Sequence, residues 1–192
     1  MVAPALTIAQ RRQRGSSMIE VLVTLVIVSF GLLGLAGLQT RLQTSEMESY
    51  QRSQALLLLN DMANRITTNR SNAAAYVSGA DVDSPLGAGM NCPTSTASVV
   101  EADLREWCNA LQGAGETTGG NNVGAMIGGR GCVEDLGSGE YFITVAWQGL
   151  IPIAAPPASV ACGANGYDTA GSSCVNDLCR RTVTTLVRIA TL

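Results

Sequence analysis

The chain reads as an α+β fold: a long N-terminal α-helix, its first half transmembrane, packed through its second half on a C-terminal antiparallel sheet of three or four strands. Three observations predict it. Met18 to Leu38 is a run of 21 residues whose polar members are Glu20, Thr24 and Ser29, enough helix for roughly 30 Å, about one bilayer core. Gln39 to Arg70 contains neither Pro nor Gly and continues with good helix formers. Strand patterning then appears only from Cys132 onward.

The N-terminal stretch is the most specific part of the sequence. Arg11, Arg12 and Arg14 precede Gly15, Ser16 and Ser17, and only Arg41 follows the apolar run closely, so the charge bias keeps residues 1–15 cytoplasmic and sends the rest outward. An ordinary secretory signal has a shorter apolar core and a better cleavage site than Ala36-Gly37-Leu38-Gln39, and a plain signal anchor is not cut. Neither accounts for Glu20. An ionisable group inside an apolar span costs on the order of 3 kcal/mol even on the lenient insertion scale, and such groups mark function.

Residues 11–25 resemble the class III signal of type IV pilins and type II secretion pseudopilins, a short basic leader ending in glycine with a glutamate five residues past that glycine. The resemblance implies the type IV pilin fold, cleavage by prepilin peptidase between Gly15 and Ser16, N-methylation of Ser16, and a role for Glu20 in subunit assembly. Ser16 departs from the bulky apolar residue usual at that place. A glycine at the end of a leader suits close approach of the peptidase to the scissile backbone. The words Ser17-Met18-Ile19-Glu20-Val21-Leu22-Val23 and Ser29-Phe30-Gly31-Leu32-Leu33-Gly34-Leu35, with Val145-Ala146-Trp147-Gln148-Gly149, are most similar to minor pilins of the pilus modification group called PilV.

The domains follow from this. Residues 1–15 are a cleaved leader, 16–38 the transmembrane and assembly half of the helix, 39–76 its amphipathic half, and 77–192 a periplasmic domain, divided into a connecting loop with one short helix (77–131) and a sheet with a cysteine-rich C-terminal loop (132–192). Removing the leader takes three of the twelve basic residues and none of the fifteen acidic ones, leaving a net charge near −6. That balance argues against nucleic acid as a partner, and Arg180, Arg181 and Arg188 are too few for a basic stripe. About 120 residues remain outside the helix, room for one modest domain.

In chain order, Gly31, Gly34 and Gly37 recur every third residue in the span, either as a small-residue packing face or, by the resemblance, as a segment that unwinds in a filament. Beyond it, Leu42, Tyr50, Ala55, Leu59, Met62 and Ile66 recur at near-helical steps as a core face, with Glu46, Glu48, Arg52, Asp61 and Arg65 facing water. Four successive leucines, Leu56 to Leu59, predict burial on two sides, the second against a neighbouring subunit. The helix should run to about Tyr76, with Ser78-Gly79 and Pro85 ending it. Val99 to Leu111 predicts a short helix capped by Ser98, with Val100, Leu104, Trp107 and Leu111 on one face.

Gly113 to Gly131 is a surface loop, because a phosphate-binding GxxxxGK[ST] loop needs a lysine and the chain has none. Asp81 and Asp83 read as a solvated turn, since the further ligand positions of a calcium loop are missing. Glu140 to Trp147 alternates Tyr141, Ile143, Val145 and Trp147 against Phe142, Thr144 and Ala146, after a Gly137-Ser138-Gly139 turn. Residues 149–158 are an extended proline-rich link, and the β-branched run Thr182 to Leu192 closes the sheet. Trp107 and Trp147 are core fillers.

Six cysteines, Cys92, Cys108, Cys132, Cys162, Cys174 and Cys179, lack the short paired spacings of zinc sites, so neither a metal nor another cofactor is predicted. In an oxidising compartment they form disulfides. Cys92 with Cys108 is the favoured pair. The other four allow three pairings, of which Cys162 with Cys174 and Cys132 with Cys179 is preferred. With no histidine there is no Ser-His or Cys-His machinery, so the chain is read as no enzyme and as having no small-molecule substrate. The resemblance implies a minor pilin that helps prime a type IV pilus and enters it. Its partners are then prepilin peptidase, inner-membrane lipid before assembly, other minor pilins and the major pilin. It is single-pass in the inner membrane with its N-terminus cytoplasmic and its domain periplasmic, then part of an extracellular pilus. The alternatives are a minor pseudopilin of type II secretion and a membrane-anchored periplasmic binding or adhesive module outside any filament.

Overall fold

The computed structural model describes residues 17–79, 84–115, 117–119, 121–122, 124 and 126–190. Gly15, Ser16, the leader arginines, Asp81, Asp83 and the last two residues lie outside it. Helix α1, Ser17–Thr68, is followed by a 3-10 segment, Arg70–Tyr76, then β1 (Leu86–Gly87), α2 (Val99–Leu111), β2 (Thr117–Thr118), β3 (Asn121–Asn122), β4 (Arg130–Gly137), β5 (Glu140–Gln148) and β6 (Arg180–Arg188). The chain divides into two compact units at Gln43/Thr44. The first contributes the apolar start of α1; the second holds everything else.

In the second unit, one four-stranded antiparallel sheet has the order β1-β4-β5-β6, and β2 and β3 form a separate two-stranded ribbon within the glycine-rich loop. Ser78 extends the pairing along β4 by exchanging backbone hydrogen bonds with Val133 at 3.1 and 2.9 Å. The Gly137-Ser138-Gly139 turn forms as predicted, with positive φ at Ser138 and Gly139. On the inner face, Val133, Tyr141, Ile143, Val145, Trp147 and Val187 meet Ala55, Leu59, Met62 and Ile66 of α1 and Trp107, Cys108 and Leu111 of α2 in one apolar core. Gly131 makes this packing possible: a Cβ there would stand 2.3 Å from the Trp107 ring. The indole nitrogen donates to the Leu58 carbonyl at 2.9 Å, fixing α2 to α1.

Several expectations are corrected. Helix α1 stops at Thr68 rather than near Tyr76, because Asn69 leaves helical geometry at φ −109°, ψ 43° and Thr68 bonds back to the Asn64 and Arg65 carbonyls. Leu42 and Tyr50 are exposed, and Gln51 takes the inward position ahead of Ala55. Leu59 is buried and Leu58 half-buried, whereas Leu56 and Leu57 stay uncovered within this chain. Arg65 is not a free surface group. Its Nε donates to Asp61 at 2.8 Å and its Nη1 to Asp103 at 2.6 Å and Glu106 at 3.0 Å, joining α1 to α2. Burial works to lower its pKa, but those three carboxylates outweigh it and hold the guanidinium charged. Glu48 likewise accepts from Leu150 N at 3.2 Å and Arg181 at 3.4 Å. The sheet's first long strand begins at Arg130, two residues before Cys132, and its last strand occupies 180–188 rather than 182–192. The loop read across 81–130 contains β1 and the β2–β3 ribbon as well as α2.

The disulfides are Cys92–Cys108, as favoured, with Cys132–Cys162 and Cys174–Cys179 in place of the preferred alternative. Strand order explains the difference. Cys132 lies opposite Thr144 of β5, and β6 lies one strand further out. Reaching across β5 means about 9–10 Å, beyond the Cα separation a disulfide allows. The segment after β5 instead folds back over the outer face, setting Cys162 on Cys132 and covering Thr144 and Ala146, so that β5 is buried on both sides. Arg180, only 3% exposed, holds this cover: its Nη1 donates to the Val160 and Cys162 carbonyls at 2.6 and 3.1 Å, and its Nη2 pairs with Asp177 at 3.0 Å.

Two outcomes follow. Removing Cys132–Cys162 as a double alanine variant should destabilise the chain by about 1.5 kcal/mol more than removing Cys174–Cys179, since the closed loops span 30 and 5 residues; chemical denaturation in detergent measures it. Burial raises the Glu134 carboxyl above its ordinary range, and among the described residues its buried Oε1 has no hydrogen-bond partner. A raised folded-state value makes the charged form the costly one, absent below the unfolded pKa and fully present above the folded one. Glu134→Gln should therefore raise the melting temperature at about pH 7 and leave it nearly unchanged near pH 4.

Candidate functional site: the apolar start of helix α1 and Glu20

The first unit, as far as it is described, is helix from Ser17 to Gln43. Its sequence is rich in Val, Ile and Thr, which lower helix propensity in water. In lipid the preference changes, because every backbone N–H and C=O must then be satisfied within the segment. The helix passes unbroken through Gly31, Gly34 and Gly37, and open space surrounds each of them. All large apolar side chains from Met18 to Leu38 are exposed, Met18, Ile19 and Phe30 by 70% or more. An 18-residue window of mean hydropathy 2.6 with none of its residues buried is apolar on every side, unlike a core helix.

Within this surface the polar groups divide into two kinds. Thr24 donates to the Val21 carbonyl at 2.9 Å and Ser29 to the Leu25 carbonyl at 2.7 Å, so both hydroxyls are satisfied by the helix itself. Thr40 does the same with Ala36 at 3.1 Å. Glu20 is exposed in the first helical turn, with no ion pair or side-chain hydrogen bond among the described residues. A carboxylate there is favoured by the helix N-terminus, worth about 0.3–1 kcal/mol, too little to offset desolvation in lipid. What remains is an anion in an apolar surface, suited to a cationic partner supplied from outside this helix.

Other predicted site residues fall as follows. Gly15 and Ser16 are outside the described residues, and all six cysteines are in disulfides. Among the described residues no group of three His, Cys, Asp or Glu side chains is placed to hold a metal ion. In the second unit, Met47, Tyr50, Leu56 and Leu57 give α1 a further exposed apolar strip, with Ile151 and Ile153 of the proline-rich link also exposed. Sequence reasoning missed the Arg65 cluster and the Arg180 anchor. The Asp61-Arg65 spacing was a usable signal for the first; Asp103, 38 residues away, was not.

Residues 10–36 match the family model of the prokaryotic N-terminal methylation motif. The match covers the N-terminal segment and supports a type IV pilin-like N-terminus. The apolar helix fits single-pass anchoring in the inner membrane. No curated protein and no solved structure gives a significant match.

The division at Gln43/Thr44 generates a direct test. Residues 44–192, exported behind a cleavable secretion signal, should be soluble without detergent and retain the near-ultraviolet dichroism of buried Trp107 and Trp147. Size-exclusion chromatography with circular dichroism checks this, and aggregation would count against the division.

Proposed function

We propose that this chain is a minor pilin, most like the PilV group, cut between Gly15 and Ser16, N-methylated at Ser16, and built into a type IV pilus whose assembly it helps to prime with other minor pilins and the major pilin. Before assembly it lies in the inner membrane with residues 1–15 cytoplasmic, as the arginine bias favours, and the cysteine-braced unit on the periplasmic side. The observation that carries this reading is Glu20: an unpartnered carboxylate at a fixed spacing from Gly15 in an otherwise apolar helical surface.

Cleavage after Gly15 creates an ammonium at Ser16, four residues from Glu20. An adjacent subunit can present this ammonium to Glu20 as its cationic partner. Pairing relieves two desolvated charges at once and sets the axial register between subunits. The exposed strip of Met47, Tyr50, Leu56 and Leu57 supports the same packing, because it supplies apolar surface beyond the membrane segment for a neighbouring subunit to cover.

Glu20→Val should leave membrane insertion intact while lowering recovery of the chain in sheared filaments at least about tenfold, a loss expected when a buried charge is left without its partner. Immunoblots of membrane and filament fractions, with N-terminal sequencing of both, measure it. Normal incorporation of the variant overturns the pairing, and a mature chain beginning elsewhere than Ser16 overturns the processing. Recovery in a secretion pseudopilus instead of a pilus would favour the pseudopilin alternative, and an uncut residue 1–15 segment the anchored module.

A further inference from the structure

The second unit carries a cavity of about 440 Å³ on the side of the sheet covered by the C-terminal loop, and Arg130 is the cationic side chain in its wall. Arg65, Arg180, Arg181 and Arg188 all end on carboxylates. Arg130 does not: its guanidinium lies over the Tyr167 ring, 4.5 Å from the centroid, with no ion pair among the described residues. The acids on the neighbouring loop are directed elsewhere. Asp168 accepts from Asn176 N and Asp177 N, both at 2.9 Å, and Asp177 is taken by Asn165 N and Arg180.

The surroundings keep the guanidinium in place and only partly exposed. Tyr167 is itself fixed, its hydroxyl donating to the Gly128 carbonyl at 2.9 Å. A Cβ at Gly166 would come within 3.2 Å of the guanidinium carbon, and one at Gly163 within 3.5 Å of Arg130 Cδ, so the backbone passes close to the arginine without a side chain to shield it. The walls are braced by Cys132–Cys162 and by Ala88 N bonding to the Gly129 carbonyl at 2.8 Å. Pro85, Ala88 and Met90 line the cavity with apolar surface. The guanidinium also hydrogen-bonds Tyr167, and its remaining N–H groups can match a carboxylate.

We infer that this cavity binds a monocarboxylate carrying a short aliphatic group, as at the C-terminal residue of a peptide, with Arg130 pairing to the carboxylate and the Pro85-Ala88-Met90 wall taking the aliphatic part. One guanidinium in a chain of net charge −3 balances a single negative charge, which favours a carboxylate over a phosphate dianion. A braced cavity of this volume is in the range of small-ligand sites and spends little free energy on ordering itself.

The test is ligand-observed NMR titration of the full chain in detergent micelles with N-acetyl-Ala-Leu, its C-terminal amide, and inorganic phosphate. The acid should bind in the millimolar range or tighter and at least about tenfold better than the amide or phosphate. Arg130→Gln should abolish that preference. Ala164→Leu, which fills the cavity while leaving Arg130 and Tyr167 in place, should weaken the acid by a similar factor and decides alone if Arg130→Gln loses its near-ultraviolet dichroism. Equal binding of acid and amide, tighter binding of phosphate, absence of binding by the acid, or full binding by a folded Ala164→Leu variant would overturn the assignment.

Discussion

A carboxylate in an apolar helical surface, with no partner among the described residues, is the constraint from which the rest takes its meaning. The span around Glu20 is otherwise self-sufficient: its backbone is helical and its hydroxyls bond to their own preceding turns. An apolar helix alone asks only for lipid. Adding one acid in the first turn makes lipid an incomplete solvent, and the deficit of several kcal/mol can be removed by a cation from a second molecule. Under the proposed function, a membrane anchor and an assembly element are the same stretch of chain in two environments.

The second unit answers a different demand. Its sheet is small, with three strands of eight or nine residues and an edge strand, β1, that contributes two. Such a sheet cannot bury enough surface by itself, so both faces are occupied: α1 and α2 on one, the chain between β5 and β6 on the other. Ionic and covalent ties sit where these layers meet. Arg65 joins the two helices, Arg180 joins β6 to the covering loop, and each disulfide either closes a loop or fixes it to the sheet.

Much of this was legible because it is local. Helix α2 lies where the Val100, Leu104, Trp107 and Leu111 spacing and Ser98 place it, with a full capping box through Glu101. Strand β5 and its turn were written in alternation and glycine. What could not be read was non-local. Nothing in the spacing of Cys132, Cys162, Cys174 and Cys179 records that β5 lies between β4 and β6, and that order excludes the Cys132–Cys179 bridge. Arg130 had no signature either, since the glycines around it resemble those of any loop until the fold brings 130 beside 163 and 166. In the N-terminal unit the balance is reversed: the spacing of Gly15 and Glu20 is more specific than an unbroken apolar helix.

The anchoring of the outer layer by Arg180 has a consequence for the order in which the domain can mature. Ribosomes deliver the chain from its N-terminus, so the strand bearing this guanidinium emerges after β4, β5 and the loop it holds. Until it arrives, the carbonyls of Val160 and Cys162 lack their donor and Cys162 is not held over its partner thiol. Oxidation of that pair is therefore a closing event, a covalent latch favoured once β6 has joined the sheet.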